Sequence, residues 1–101
     1  MKQITITYGG KEYPCRQTMG AMLRFKRETG KEATEIKADS LSDLVIFLYC
    51  CVVSECNHQN MSFDFPLQDF ADGVSVDDLS AWAAQTMQAS DGDEAAAAKK
   101  N

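Results

Sequence analysis

Apolar and polar residues alternate from the start of the chain. Ile4, Ile6 and Tyr8 interleave with Gln3, Thr5 and Thr7, the period-two pattern of a strand with one buried face. Gly9-Gly10 follows, a pair suited to the positive backbone angles of a two-residue hairpin turn. Such a loop sets Tyr8 opposite Lys11, Ile6 opposite Tyr13 and Ile4 opposite Cys15. Ile4, Ile6, Tyr13 and Cys15 then share one face, while Thr7 meets Glu12 on the other. Pro14 cannot donate to a ladder, so the outer side of the second strand is expected to be an edge.

The period then lengthens to that of a helix. Met19, Met22, Leu23 and Phe25 form an apolar side over residues 19–29, and Arg24, Lys26, Arg27 and Glu28 a charged one. Thr18 is placed to cap the N-terminus and Gly30 to end the helix in the left-handed conformation. A polar loop is expected from Lys31 to Asp39. A second helix, capped by Ser40 or Asp39 with Asp43 in its first turn, is predicted from Leu41 to about Asn57. Its stretch Leu44 to Val53 is apolar all round, which requires burial on most sides. Two readings of that stretch stand: it is the central core helix, or part of it is covered by another molecule.

His58-Gln59-Asn60 reads as a loop. Pro66 suits the first position of a short helix, with Asp64 or Phe65 near its cap and its end at Gly73. Ser75 caps a last helix with Asp77 and Asp78 in its first turn. Val76, Leu79, Trp82, Ala83, Thr86 and Met87 recur along it at helical spacing. These elements predict an α+β fold, an N-terminal β-hairpin followed by about four α-helices. They belong to a single domain over residues 1–89, with a loose tail over 90–101 that is poor in bulky apolar residues.

Composition narrows the picture. The 101 residues, 45% of them apolar, suit one domain with a modest core. No run reaches the roughly 18 apolar residues of a membrane span, and Met1-Lys2-Gln3-Ile4 leads straight into a strand with no signal-peptide pattern. The expected location is the cytoplasm, without membrane contact. There the four cysteines, Cys15, Cys50, Cys51 and Cys56, are expected to be free thiols.

Charge is divided along the chain. Residues 1–37 carry eight Lys or Arg against four Glu, a net of +4; residues 38–89 carry eight acids and no base, a net of −8. The overall net charge is −5. Unless the two parts fold over each other, the domain is strongly dipolar, which favours a head-to-tail homo-oligomer.

Candidate chemistry is sparse. Cys51, Cys56 and His58 come nearest to a metal set, but structural zinc sites repeat their ligand pairs and use four ligands. Small buried thiols acting as hydrophobes account for the cysteines better, and no metal is expected. A Cys–His nucleophile pair needs an orienting third group, and nothing in the sequence supplies one. Nucleotide-binding glycine motifs and a CxxC motif do not occur, so no cofactor is expected. Asp64, Asp69, Asp72, Asp77 and Asp78 lack calcium-loop spacing. The expectation is a protein-binding domain and not an enzyme. Arg24, Lys26, Arg27 and Lys31 form a basic face for an acidic protein partner. The alternative is a small regulator that uses the basic first helix on nucleic acid, although the acidic balance of the whole makes nucleic acid the weaker partner.

One resemblance bears on the partner. The stretch Gly10 to Lys31, with Arg24-Phe25, Glu28-Thr29-Gly30 and Lys31 closing its helix, resembles the N-terminal part of tailed-bacteriophage tail assembly chaperones. Ser40-Leu41-Ser42-Asp43-Leu44 at the start of an apolar helix, and an acidic helical region before an Ala- and Lys-containing tail, are also similar to that family. The resemblance covers roughly residues 1–89. It implies a cytoplasmic chaperone that binds the tape-measure protein and keeps it soluble during tail assembly, without entering the finished tail. Three cysteines in the second helix are not what the family leads one to expect. Under this reading the partner-binding candidates are Met19, Met22, Arg24, Arg27, Phe47 and Trp82, since adaptable methionines suit varied helical clients.

Overall fold

The computed structural model describes residues 4–37 and 39–85. Strands β1 (Thr5–Tyr8) and β2 (Lys11–Pro14) pair antiparallel. Tyr8 faces Lys11 and Ile6 faces Tyr13, and the Cys15 N–H donates to the Ile4 carbonyl at 3.0 Å, which carries the expected register one pair further. Gly9 and Gly10 have φ of 61° and 80°, the left-handed angles that a two-residue turn demands and that side chains resist. Ile6, Tyr13, Pro14 and Cys15 turn inward.

Helix α1 is Met19–Thr29. Its N-cap Thr18 accepts from the Ala21 N–H at 3.0 Å. Gly30 closes it at φ 79°, donating to the Lys26 carbonyl. Both caps occupy the positions their chemistry predicts. The segment expected to be a plain polar loop instead contains a 3₁₀ turn, Ala33–Glu35. Glu32 and Glu35 cap it reciprocally, the Glu32 N–H donating to Glu35 Oε1 at 3.0 Å. Ala33 and Ile36 from this turn pack against the core, which is why the segment is ordered into a turn.

Helix α2 (Leu41–His58) is the axis of the molecule. Leu44, Phe47, Leu48, Cys50, Cys51, Val52 and Cys56 are buried on it, with Glu55. The hairpin, α1, α3 (Leu67–Gly73) and α4 (residues 76–85) pack around it. The chain therefore supplies most of the cover that the apolar run needs, and the core-helix reading accounts for this face. α2 runs one residue beyond the expected end. Asn60, at φ 60°, then turns the chain so that the Met61 N–H donates to the Cys56 carbonyl at 2.8 Å.

Pro66 is the N-cap of α3, extended at ψ 158°, and the helix begins at Leu67. Ser75 Oγ accepts from the Asp78 N–H at 3.0 Å, as expected of a cap on α4. The observed architecture is α+β, a two-stranded hairpin followed by four helices in one small domain. The expected continuation of α4 through Thr86 and Met87, the domain end at 89 and the tail over 90–101 lie outside the described residues.

Two aromatic groups tie the elements together. Tyr8, Phe63, Phe65 and Phe70 meet edge-to-face or tilted at centroid distances of 5.0–6.2 Å, and the Tyr8 hydroxyl donates to the Asp69 carbonyl at 3.1 Å. This group fastens the hairpin to α3. The other runs Phe25–Phe47–Trp82, at 5.6 and 6.0 Å, and fastens α1 and α4 to α2. Such contacts add to the burial of large apolar side chains.

Candidate protein-binding site

The rotation of α1 decides which of its residues can meet a partner. Gly20 lies against α2 so closely that a Cβ there would come within 2.7 Å of Ser54 Oγ. The Thr18 and Ser54 hydroxyls share a hydrogen bond at 2.6 Å. This close approach directs Ala21 and Phe25 inward, both 0% exposed. It leaves Met19 and Leu23 outward, at 70% and 66% exposed. The two are one helical turn apart and form a single apolar stripe. Met22 is half-buried against the core.

Phe47 and Trp82, two of the residues assigned to partner binding from the sequence, are corrected by the structure. Each is 2% exposed, in the chain of rings that runs from Phe25. They hold the helices together and present no surface. The pattern could not reveal this, because α2 is apolar all round at Phe47. The residues that do lie outward include Leu41 (45%) and Val76 (60%). With Val45, Val74 and Leu79 they line a shallow groove of about 220 Å³. Leu23 is visible at helical spacing from Met19, but the sequence does not mark it as outward.

The basic face of α1 is divided by pairing. Lys26 Nζ meets Glu32 Oε2 at 3.1 Å, and Lys31 Nζ meets Asp43 Oδ2. The hydrogen bond from Lys31 holds the Asp43 carboxyl below its ordinary pKa. Arg24 and Arg27 have no ion-pair partner among the described residues. Arg24 is half-buried, and its Nε–H is enclosed without a hydrogen-bond partner. It separates two clefts of about 390 and 200 Å³, both floored by Val53. Cys56, Asn57, Phe63 and Asp64 also line the larger, and Cys50, Tyr49, Arg27 and Glu28 the smaller. The Tyr49 hydroxyl donates to the Phe65 carbonyl at 2.6 Å, fixing the far wall.

The two charged halves of the chain fold over each other. Arg16 lies 3.4 Å from the buried carboxylate of Glu55, and Lys31 pairs with Asp43. The Arg16 contact is an ion pair without hydrogen-bond alignment, since Glu55 Oε1 has no hydrogen-bond partner. Glu55 Oε2 accepts from Gln59 Nε2 at 2.8 Å. These cross-pairs remove part of the dipole that the sequence suggests.

All four cysteines are free and buried. Burial pushes the Cys15 thiol up to about 12 and that of Cys50 up to about 11, and raises those of Cys51 and Cys56. The Trp82 indole N–H faces Cys15 and opposes its shift. It makes no hydrogen bond with any of the described residues. His58 is exposed at the end of α2. Among the described residues, no group of three or more His, Cys, Asp or Glu could hold a metal ion. By length and mean hydropathy (1.2 over 18 residues) α2 could cross a membrane, and 44% of that window is buried inside the fold. No family model, curated protein or solved structure matches this chain.

Proposed function

We propose that this chain is a non-enzymatic domain that binds amphipathic helical segments of another protein. In that reading its client is the tape-measure protein of a tailed bacteriophage, kept soluble in the host cytoplasm until the tail tube forms around it. The observation that carries the protein-binding reading is the outward apolar stripe of Met19 and Leu23, which nothing in the fold covers among the described residues. An uncovered apolar stripe on a helix fits the apolar face of a second helix. The client's identity rests on the resemblance of Gly10–Lys31 to tail assembly chaperones. Its structural part is supported by the capped helix that ends at Glu28-Thr29-Gly30.

Co-expression with tape-measure fragments tests the proposal. The fragments are expected to move from the pellet to the soluble fraction and to co-purify with the chain. Fragments that stay insoluble, or that are soluble without it, refute the client assignment. Met19→Ser with Leu23→Ser is expected to weaken client binding about tenfold or more, because each removes apolar area from the contact. The folding stability of this variant should change by no more than about 0.5 kcal/mol per site, since both residues are exposed.

Self-association belongs to the same reading and has its own measurement. The residual charge split favours head-to-tail contact at low salt. Light scattering is expected to give a mass above the 11.2 kDa protomer that falls as salt is added. A monomer at every ionic strength removes the idea. The nucleic-acid alternative retains only Arg24 and Arg27 as unpaired cations on α1, since Lys26 and Lys31 are held by Glu32 and Asp43.

A further inference from the structure

Arg24 is the one α1 cation whose guanidinium is both half-buried and unpaired among the described residues. Its enclosed Nε–H borders two clefts that share Val53, the larger lined mainly by polar surface. The Nε–H and the adjacent Nη–H of an arginine form a side-on fork that matches the two oxygens of a carboxylate. A donor enclosed without a partner is costly, and an acceptor that arrives with a ligand relieves that cost.

We infer that the groove around Arg24 is a binding site for a partner protein segment that presents a glutamate or aspartate among apolar residues, the carboxylate seating on the Arg24 fork. The apolar flanks of the segment cover Val53 and Phe63 on one side and Cys50 on the other. Arg27 in the wall of the smaller cleft adds a second, looser attraction. Glu28 lines that cleft and Asp64 the larger one. They repel a continuous polyphosphate and tolerate one isolated carboxylate, so a peptide fits better than nucleic acid. The inference rests on the protein-binding reading above but not on who the partner is.

The test uses the full-length chain labelled with ¹⁵N at arginine, and follows the Arg24 Nε–H resonance by NMR. The probe is a blocked helical peptide of alanine and leucine with two glutamates one turn apart; its control carries glutamines instead. The glutamate peptide is expected to shift the resonance saturably, and the glutamine peptide to bind about tenfold more weakly or worse. Read by titration calorimetry, which does not depend on that resonance, Arg24→Gln should abolish the difference between the two peptides. Arg24→Lys should recover only part of it, because an ammonium keeps the charge and loses the fork. Lys26→Gln should leave both affinities unchanged. Circular dichroism of each variant confirms that it is folded.

Equal shifts from both peptides, or none from either, overturn the inference. So does a DNA duplex that shifts the resonance where the glutamate peptide does not. The chain has an acidic stretch of its own, Asp91, Asp93 and Glu94. If neutralising these three in the full chain moves the Arg24 resonance with no peptide added, the groove serves that segment and the partner assignment falls. A failed tape-measure co-expression leaves this site standing, and a failed peptide titration leaves the client assignment standing.

Discussion

Phe47→Ala is expected to destabilise the fold severely. Phe47 is buried beneath Phe25 and Trp82 and joins three helices through one ring. Truncating a buried phenylalanine costs about 3–5 kcal/mol through lost transfer energy and the cavity left behind. A domain of this size holds only roughly 5–15 kcal/mol in total. The thermal midpoint should fall by about 15 °C or more, or the transition should broaden beyond fitting. Circular dichroism on heating reads this directly, with Val76→Ser as the exposed comparison. A midpoint within a few degrees of the unaltered chain would show that the ring stack does not hold α1 and α4 to α2. The result also governs how binding data are read: loss of client binding in Phe47 or Trp82 variants reports unfolding, whereas loss in Met19 and Leu23 variants reports contact.

Raising the pH past that at which free thiols ionise is expected to unfold the protein. In the unfolded chain the thiols ionise near 9, while burial holds Cys15 near 12 and Cys50 near 11, with Cys51 also raised. Above pH 9 the unfolded state therefore binds fewer protons than the folded state, and stability falls as pH rises. The stabilising contribution is complete below pH 9. Each such thiol withdraws about 1.4 kcal/mol per pH unit until its folded value is reached. By pH 11 Cys15 alone withdraws about 3 kcal/mol, and Cys50 adds a smaller contribution weakened by solvent screening, together a large part of the stability of a small domain. Under reducing conditions the helical signal should collapse cooperatively between about pH 10 and 11. Alkylation should find the thiols unreactive at pH 8 and reactive across the same transition. Full ellipticity at pH 11, or rapid alkylation of the folded protein at pH 8, would contradict the burial of these sulfurs.

Elements with local punctuation are legible in the residues themselves. Thr18 and Gly30 bound α1 at the residues their capping chemistry names, and Gly9-Gly10 set the hairpin register. Ser75 announces α4 by the same logic. The turn at Ala33–Glu35 is not legible, because its caps are two glutamates and its anchor, Ile36, is a lone apolar residue with no period around it. The candidate site is legible only in part. Met19 stands out because it belongs to an amphipathic helix, whose pattern distinguishes sides. Phe47 and Trp82 mislead because a helix that is apolar on every side carries no such pattern, and because helical spacing places Trp82 on a face without saying what that face meets. The difference between Arg24 and its neighbours is also hidden. All four are basic in the sequence, and only tertiary approach, as of Asp43 to Lys31, decides which are already satisfied.

The link from Tyr8 to α3 spans 61 residues of sequence. An isolated two-stranded hairpin is marginal in water. On the ribosome β1 and β2 emerge before α2, yet the rings that tie them to α3, Phe63, Phe65 and Phe70, are made after all of α2. The nascent hairpin must therefore wait, unfastened, through the synthesis of the most apolar stretch of the chain. Its link to α3 can form only once α2 has been made, and slow translation through α2 would lengthen the interval in which that link is absent.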